Sequence, residues 1–178
     1  MSQSSRASPG ASAALPKHCA RLSVVVKEPL FSAAAAGASP PASREGARDL
    51  ALAPDLSFTD DSSANFPIRG ADLASGELAA DRPTVVFFGT SHCFNTNREA
   101  ERFVAFYARH RDEARFLVVD LDHVAAGQKP LVSRFYRGYI PTLAFVAPSG
   151  TVVYDRSGET SPRRGDIAAL ERILALAR

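Results

Sequence analysis

Val85-Val86-Phe87-Phe88 is a run of four β-branched or aromatic residues that follows Pro83 and stops at Gly89, and Cys93 stands four residues further on. A continuous apolar run of this length reads as a strand buried on both faces. From Asn97 to His110 the pattern changes period: Ala100, Phe103, Val104 and Tyr107 fall at i, i+3, i+4 and i+7, one apolar stripe of a helix. Cys93 is therefore expected where a buried strand gives way to a helix N-terminus. The unpaired N–H groups and partial positive charge of such an end favour a thiolate, so the expectation is an exposed, reactive thiol. The competing expectation is a cysteine that packs as a small hydrophobe.

The rest of the chain supplies further elements. Phe116 to Leu121 is a second continuous apolar run, suited to a central parallel strand. Pro130 to Arg137 reads as a helix, with proline in its first turn and Gly138 just past its end. Thr142 to Ala147 and Thr151 to Tyr154, separated by Pro148-Ser149-Gly150, read as a hairpin. A closing helix carries Ile167, Leu170, Ile173, Leu174 and Ala177 on one face, with Asp166 as its expected cap. Before the first strand, Asp55 to Thr59 is expected as a short edge strand and Gly70 to Ala80 as a helix.

The strand, the small polar turn, the cysteine at a helix start and the downstream Tyr139-Ile140-Pro141-Thr142 resemble the thioredoxin superfamily, over roughly Asp55 to Arg178. The resemblance implies an α/β fold with a mixed β-sheet flanked by helices. It implies that Cys93 is the nucleophile and that Pro141 is a cis-proline facing it. Ile140 would then offer its backbone to an extended partner, with Phe94 on the docking surface. The chain departs from the family in three places. Thr96 stands where a second cysteine would complete Cys-x-x-Cys, Phe94-Asn95 replaces the common Gly-Pro, and Phe87 occupies the place of a buried acidic residue. Thr96 is expected in an exposed first turn, its hydroxyl within reach of the thiolate. His92 precedes the thiol, where a protonated imidazole would favour its anion.

Met1 to Leu50 has a different composition. Twenty-nine of its fifty residues are Ala, Ser, Pro or Gly, which predicts a disordered tail ahead of one domain. Within it, Lys27-Glu28-Pro29 splits the one apolar run that resembles a signal peptide, which favours a cytoplasmic over an exported, periplasmic chain. No apolar run approaches membrane-spanning length. The tail holds six Lys/Arg against three Asp/Glu, leaving fifteen against sixteen beyond it, so a near-neutral domain gives no electrostatic reason to expect nucleic acid. Two cysteines are too few for a disulfide framework, and His18, His92, His110 and His123 have no metal-ligand spacing, so neither metal nor cofactor is expected.

The first functional reading is a monothiol exchanger: Cys93, with Thr96 and His92 beside it, forms mixed disulfides with protein disulfides or thiols, glutathione among them. Cys19, on the tail, is a candidate for resolving such an adduct. The second reading is a redox-inactive module that binds extended peptides near Pro141. The third is a peroxiredoxin-like peroxidase, from the Thr-x-x-Cys spacing of Thr90 and Cys93; the proline expected four residues before that threonine is Val86 here.

Overall fold

Each long β-branched or aromatic run forms a strand in the computed structural model, which describes residues 46–59, 63–156 and 167–178. In chain order the elements are β1 (Arg48–Leu52), β2 (Ile68–Ala71), β3 (Thr84–Gly89), α1 (Phe94–His110), β4 (Arg115–Asp120), α2 (Lys129–Phe135), β5 (Thr142–Val146), β6 (Val152–Asp155) and α3 (Ala168–Leu176). A short 3-10 turn, Ala126–Gln128, leads into α2. Four strands make the main sheet in the order β4-β3-β5-β6. β3 runs parallel to β4, while β5 and β6 are antiparallel additions.

Alternation along these strands divides the interior in two. Val85 and Phe87 face α1 and α3, packing with Phe103, Phe106, Leu170 and Leu174. Val86 and Phe88 face α2, packing with Leu131 and Phe135. Aromatic rings knit the first layer: Phe103 lies 5.1 Å from Phe87 and 5.6 Å from Phe116, centroid to centroid. Contacts of this kind add about 0.5–1.5 kcal/mol each beyond the area they bury. The order β3-α1-β4-α2-β5-β6-α3, with helices on both faces of a mixed sheet, is a thioredoxin-like α/β fold. No helix among the described residues is long and apolar enough to cross a membrane.

Ahead of this unit the structure corrects three expectations. The expected strand and helix are replaced by an antiparallel hairpin, β1 with β2. β1 overlaps the expected tail: Ala47 and Leu50 are buried in the α1-side core, and the Ala47 amide donates to the Phe116 carbonyl at 2.9 Å. The folded part thus reaches back at least to Gly46, and a boundary at Leu50 cuts through a strand.

Asp55–Thr59 is not a strand, because the Ser57 carbonyl is taken by the Asn97 side chain (2.9 Å) and its amide by the Ser63 hydroxyl (3.0 Å). Residues 72–80 form no helix for a similar reason. Gln128, buried, donates to the carbonyls of Leu73 and Ser75, and Arg115 donates to that of Glu77. Acceptors that a helix would use internally are bound by side chains from elsewhere. The expected cap Asp166, like Cys19, lies outside the described residues.

Candidate functional site

β3 ends at Gly89, and the chain turns through Thr90, Ser91 and His92 to Cys93, the N-cap of α1. Cys93 has extended backbone angles (φ −148°, ψ 111°), and its carbonyl accepts the helix's first hydrogen bond, from Asn97 N–H at 3.1 Å. The helix therefore starts three residues before the expected Asn97. At the end of β4, Asp122 fixes the turn by accepting from the Ser91 amide at 3.0 Å. Asp120 is placed beside it, accepting from the Asp122 amide (2.9 Å) and meeting His123 Nδ1 at 3.0 Å.

Antiparallel register brings the second expected segment to the same sheet end. Phe88 pairs with Thr142, so Pro141 follows on beside Gly89, and the Ile140–Pro141 peptide is cis. Ile140 and Pro141 are buried; Tyr139, just before them, is 38% exposed, with the Arg156 guanidinium 4.1 Å from its ring centroid. Phe94 is half-buried under the Arg98 guanidinium at 5.5 Å. The turn carrying Cys93 and the segment carrying Pro141 thus meet at the C-terminal end of the parallel strands, the usual place for sites in α/β sheets.

Exposure departs from expectation. His92 is exposed, but Cys93 is 2% and Thr96 0% exposed. For Thr96 the local cause is Gly89: a Cβ there would lie 2.4 Å from Thr96 Cγ2 and 2.8 Å from the Phe87 ring. The missing side chain lets Thr96, in the first turn of α1, settle onto the strand end. The Thr96 hydroxyl is buried and has no hydrogen-bond partner among the described residues. Phe87 sits in the aromatic core against Phe66 and Phe103, so the place of the family's acidic residue is apolar.

A buried acid does occur, on α1 and not on β3. Glu99, fully buried, accepts from Arg102 Nε (3.0 Å) and Nη2 (2.7 Å), and the same Nη2 donates to Asp155 at 2.6 Å. One cation thus faces two carboxylates, and Glu99 Oε2 lacks a partner among the described residues. Burial pushes the Glu99 carboxyl up from 4.5 to about 7, with Arg102 opposing and Asp155 adding to the rise. Burial works against the charge on Arg102, but the two carboxylates outweigh it and raise its pKa.

The helical pattern around Phe103 and Phe106 gives one sign of this cluster, because Glu99 stands at i−4 and i−7 from them. Asp155 joins from β6, a pairing that no local pattern marks. Among the described residues, no three His, Cys, Asp or Glu side chains gather as a metal-ligand set.

The Glu99 shift has a measurable consequence. Between about pH 4.5 and 7 the folded chain keeps a proton on Glu99 that the unfolded chain has lost, so this group's contribution to stability is full below 4.5 and falls as pH rises. The loss amounts to something on the order of 3 kcal/mol. Glu99→Gln removes this titration while keeping an acceptor for Arg102. Chemical unfolding is expected to give similar stabilities for the two proteins at pH 5 and a gain of about 1–3 kcal/mol for the variant by pH 8. A constant difference across that range would show that Glu99 ionises normally.

No family model matches the chain, and no curated protein matches it. Among solved structures it is similar to MTB DsbF, solved in its mixed oxidized and reduced forms. The two are 20% identical, over 55% of this chain and 81% of that one, with a TM-score of 0.36.

Proposed function

We propose that this chain exchanges thiols and disulfides through Cys93 as its only site thiol. Cys93, as thiolate, attacks one sulfur of a partner disulfide; a mixed disulfide forms and the other sulfur leaves as a thiolate. An external thiol then attacks the partner sulfur of that adduct, carries it away as a new disulfide and returns Cys93 to its starting state. The protein undergoes no net oxidation. Thr96 cannot resolve the adduct, so release waits for a second thiol, glutathione being the candidate of the right chemistry.

The observation that carries this reading is the meeting of the α1 N-cap cysteine with the Ile140–Pro141 segment at one sheet end. In the proposed roles, Ile140 and Pro141 align an extended partner, Phe94 forms part of its docking surface, and His92 and Thr96 flank the thiol.

The reading is tested by incubating the Cys19→Ser protein with glutathione disulfide. One glutathione is expected on the Cys93 peptide, fully removed by a small thiol and absent from Cys93→Ser. A protein that stays unmodified while folded contradicts it.

The burial of Cys93 and Thr96 favours a second reading, a redox-inactive module binding extended peptides beside Tyr139 and Pro141. That reading expects peptide binding to be the same in Cys93→Ser and wild type, with no adduct in either.

A further inference from the structure

The opposite end of the parallel strands carries a second concave feature, a cavity of about 280 Å³. It lies where β1 meets the starts of β3 and β4, one strand length, roughly 20 Å, from the Cys93 turn. Its walls contain four arginines: Arg48, Arg82, Arg111 and Arg115. Two carboxylates, Asp49 and Asp112, also line it, and they leave the guanidinium charge in excess.

The arginines differ in how they are satisfied. Arg48 is paired with Asp72 through Nε at 2.9 Å. Arg115 is only 6% exposed, and its hydrogen bond goes to a neutral group, the Glu77 carbonyl, from Nη1 at 2.9 Å. Arg82 Nε is shielded from solvent and makes no hydrogen bond among the described residues, its ion pair with Asp81 being long, at 3.8 Å. Arg111 and Arg115 have no ion pair among the described residues.

A guanidinium buried to this degree ordinarily has a counter-charge, because desolvating a cation against a neutral carbonyl alone is unfavourable. Arg115 is the buried guanidinium here, and the more exposed Arg82 and Arg111 line the same cavity, so that with Arg48 four guanidinium groups stand against the two carboxylates of Asp49 and Asp112. Tyr107, whose hydroxyl oxygen already accepts the Asp49 amide at 3.0 Å, has its own O–H free to donate.

We propose that this cavity binds a phosphate group, either the free ion or the phosphate of a small phosphorylated molecule. A phosphate monoester carries close to two negative charges near neutral pH and presents three acceptor oxygens. Arginine forks match such an oxyanion two N–H groups at a time. The volume is several times that of a single water-sized ligand, which leaves room for a group attached to the phosphate.

The test is calorimetric titration of the full chain with inorganic phosphate and, separately, with glycerol phosphate, at constant ionic strength in chloride. A single saturable site is expected for at least one probe. Its affinity should fall at least tenfold in Arg111→Ala and in Arg82→Ala, two positions open enough to solvent that both variants should keep the wild-type thermal transition. Tighter binding of glycerol phosphate assigns the site to a phosphorylated molecule, and tighter binding of inorganic phosphate to the free ion. The proposal is overturned if neither probe saturates, if acetate binds as tightly as phosphate, or if both folded variants bind like wild type.

Discussion

Arg102→Met is expected to destabilise the fold by about 3–5 kcal/mol at pH 8, the usual result of removing one partner from a buried ion pair. In a chain of this length that lowers the midpoint of thermal unfolding by roughly 10 °C. The methionine fills much of the same space, so lost volume is a small part of the effect. What remains is a fully buried Glu99 that has lost the guanidinium donating to it, with the Asp155 carboxylate close by. At pH 5 the loss should shrink, because Glu99 then keeps its proton. Adding Glu99→Gln should recover part of the loss at pH 8. Denaturant unfolding of wild type, the single variant and the double variant at both pH values checks this. A loss below about 1 kcal/mol at pH 8 would mean that the triad is solvated and balanced by other means.

The second large effect is functional. Thr96→Cys places a thiol one helical turn from Cys93 on the same helix face, where a small closure of the about 5–6 Å between Cβ atoms, to about 4.5 Å or less, lets a disulfide form. The introduced thiol can attack a mixed disulfide at Cys93, form an internal disulfide and release the partner thiol, after which a dithiol reductant restores both groups. Reduction of a protein disulfide should rise roughly tenfold, the ratio of a millimolar effective concentration to a submillimolar external thiol. Phe87 limits the gain, having no group to accept a proton during release.

Burial changes what the substitution does to stability. Thr96 loses a methyl packed on Gly89, costing about 1 kcal/mol, and also loses a hydroxyl that is buried without a partner, which offsets much of that cost. The assay compares wild type, Thr96→Cys and Cys93→Ser. If folded Thr96→Cys is no more active than Cys93→Ser, Cys93 is not presented to partners, and the peptide-binding reading replaces the exchange one.

The parts of this molecule that a local pattern can encode were legible in the sequence. Val85 to Phe88, Phe116 to Leu121 and the pair of runs around Pro148-Ser149-Gly150 are apolar on both faces because helices cover both sides of the sheet. The Cys93 turn was legible because a strand-like period gives way there to a helical one. What escaped was set by distant partners. β1 looks like a continuation of an alanine-rich tail, and it is pairing with β2, about twenty residues on, that makes it a strand, with Ala47 and Leu50 anchoring it in the α1-side core. Residues 72–80 lost their expected helix to Gln128 and Arg115, more than thirty positions away. The burial of Thr96 follows from the missing Cβ of Gly89, which marks a strand end in the sequence but says nothing of how closely the helix approaches. Glu99, Arg102 and Asp155 come together only when β6 is in place.

A thiol that is 2% exposed can still be a nucleophile, provided the native state admits the partner without unfolding. The decisive measurement is the rate at which glutathione disulfide modifies Cys93 in the Cys19→Ser protein, followed across reagent concentrations and in low, non-denaturing amounts of urea. The expected rate is proportional to reagent and nearly independent of urea, as for a reaction of the folded chain or of a small local opening at the α1 N-terminus. A rate that climbs with urea along the global unfolding free energy, or saturates at the unfolding rate, would contradict it and leave Cys93 as a packed core residue.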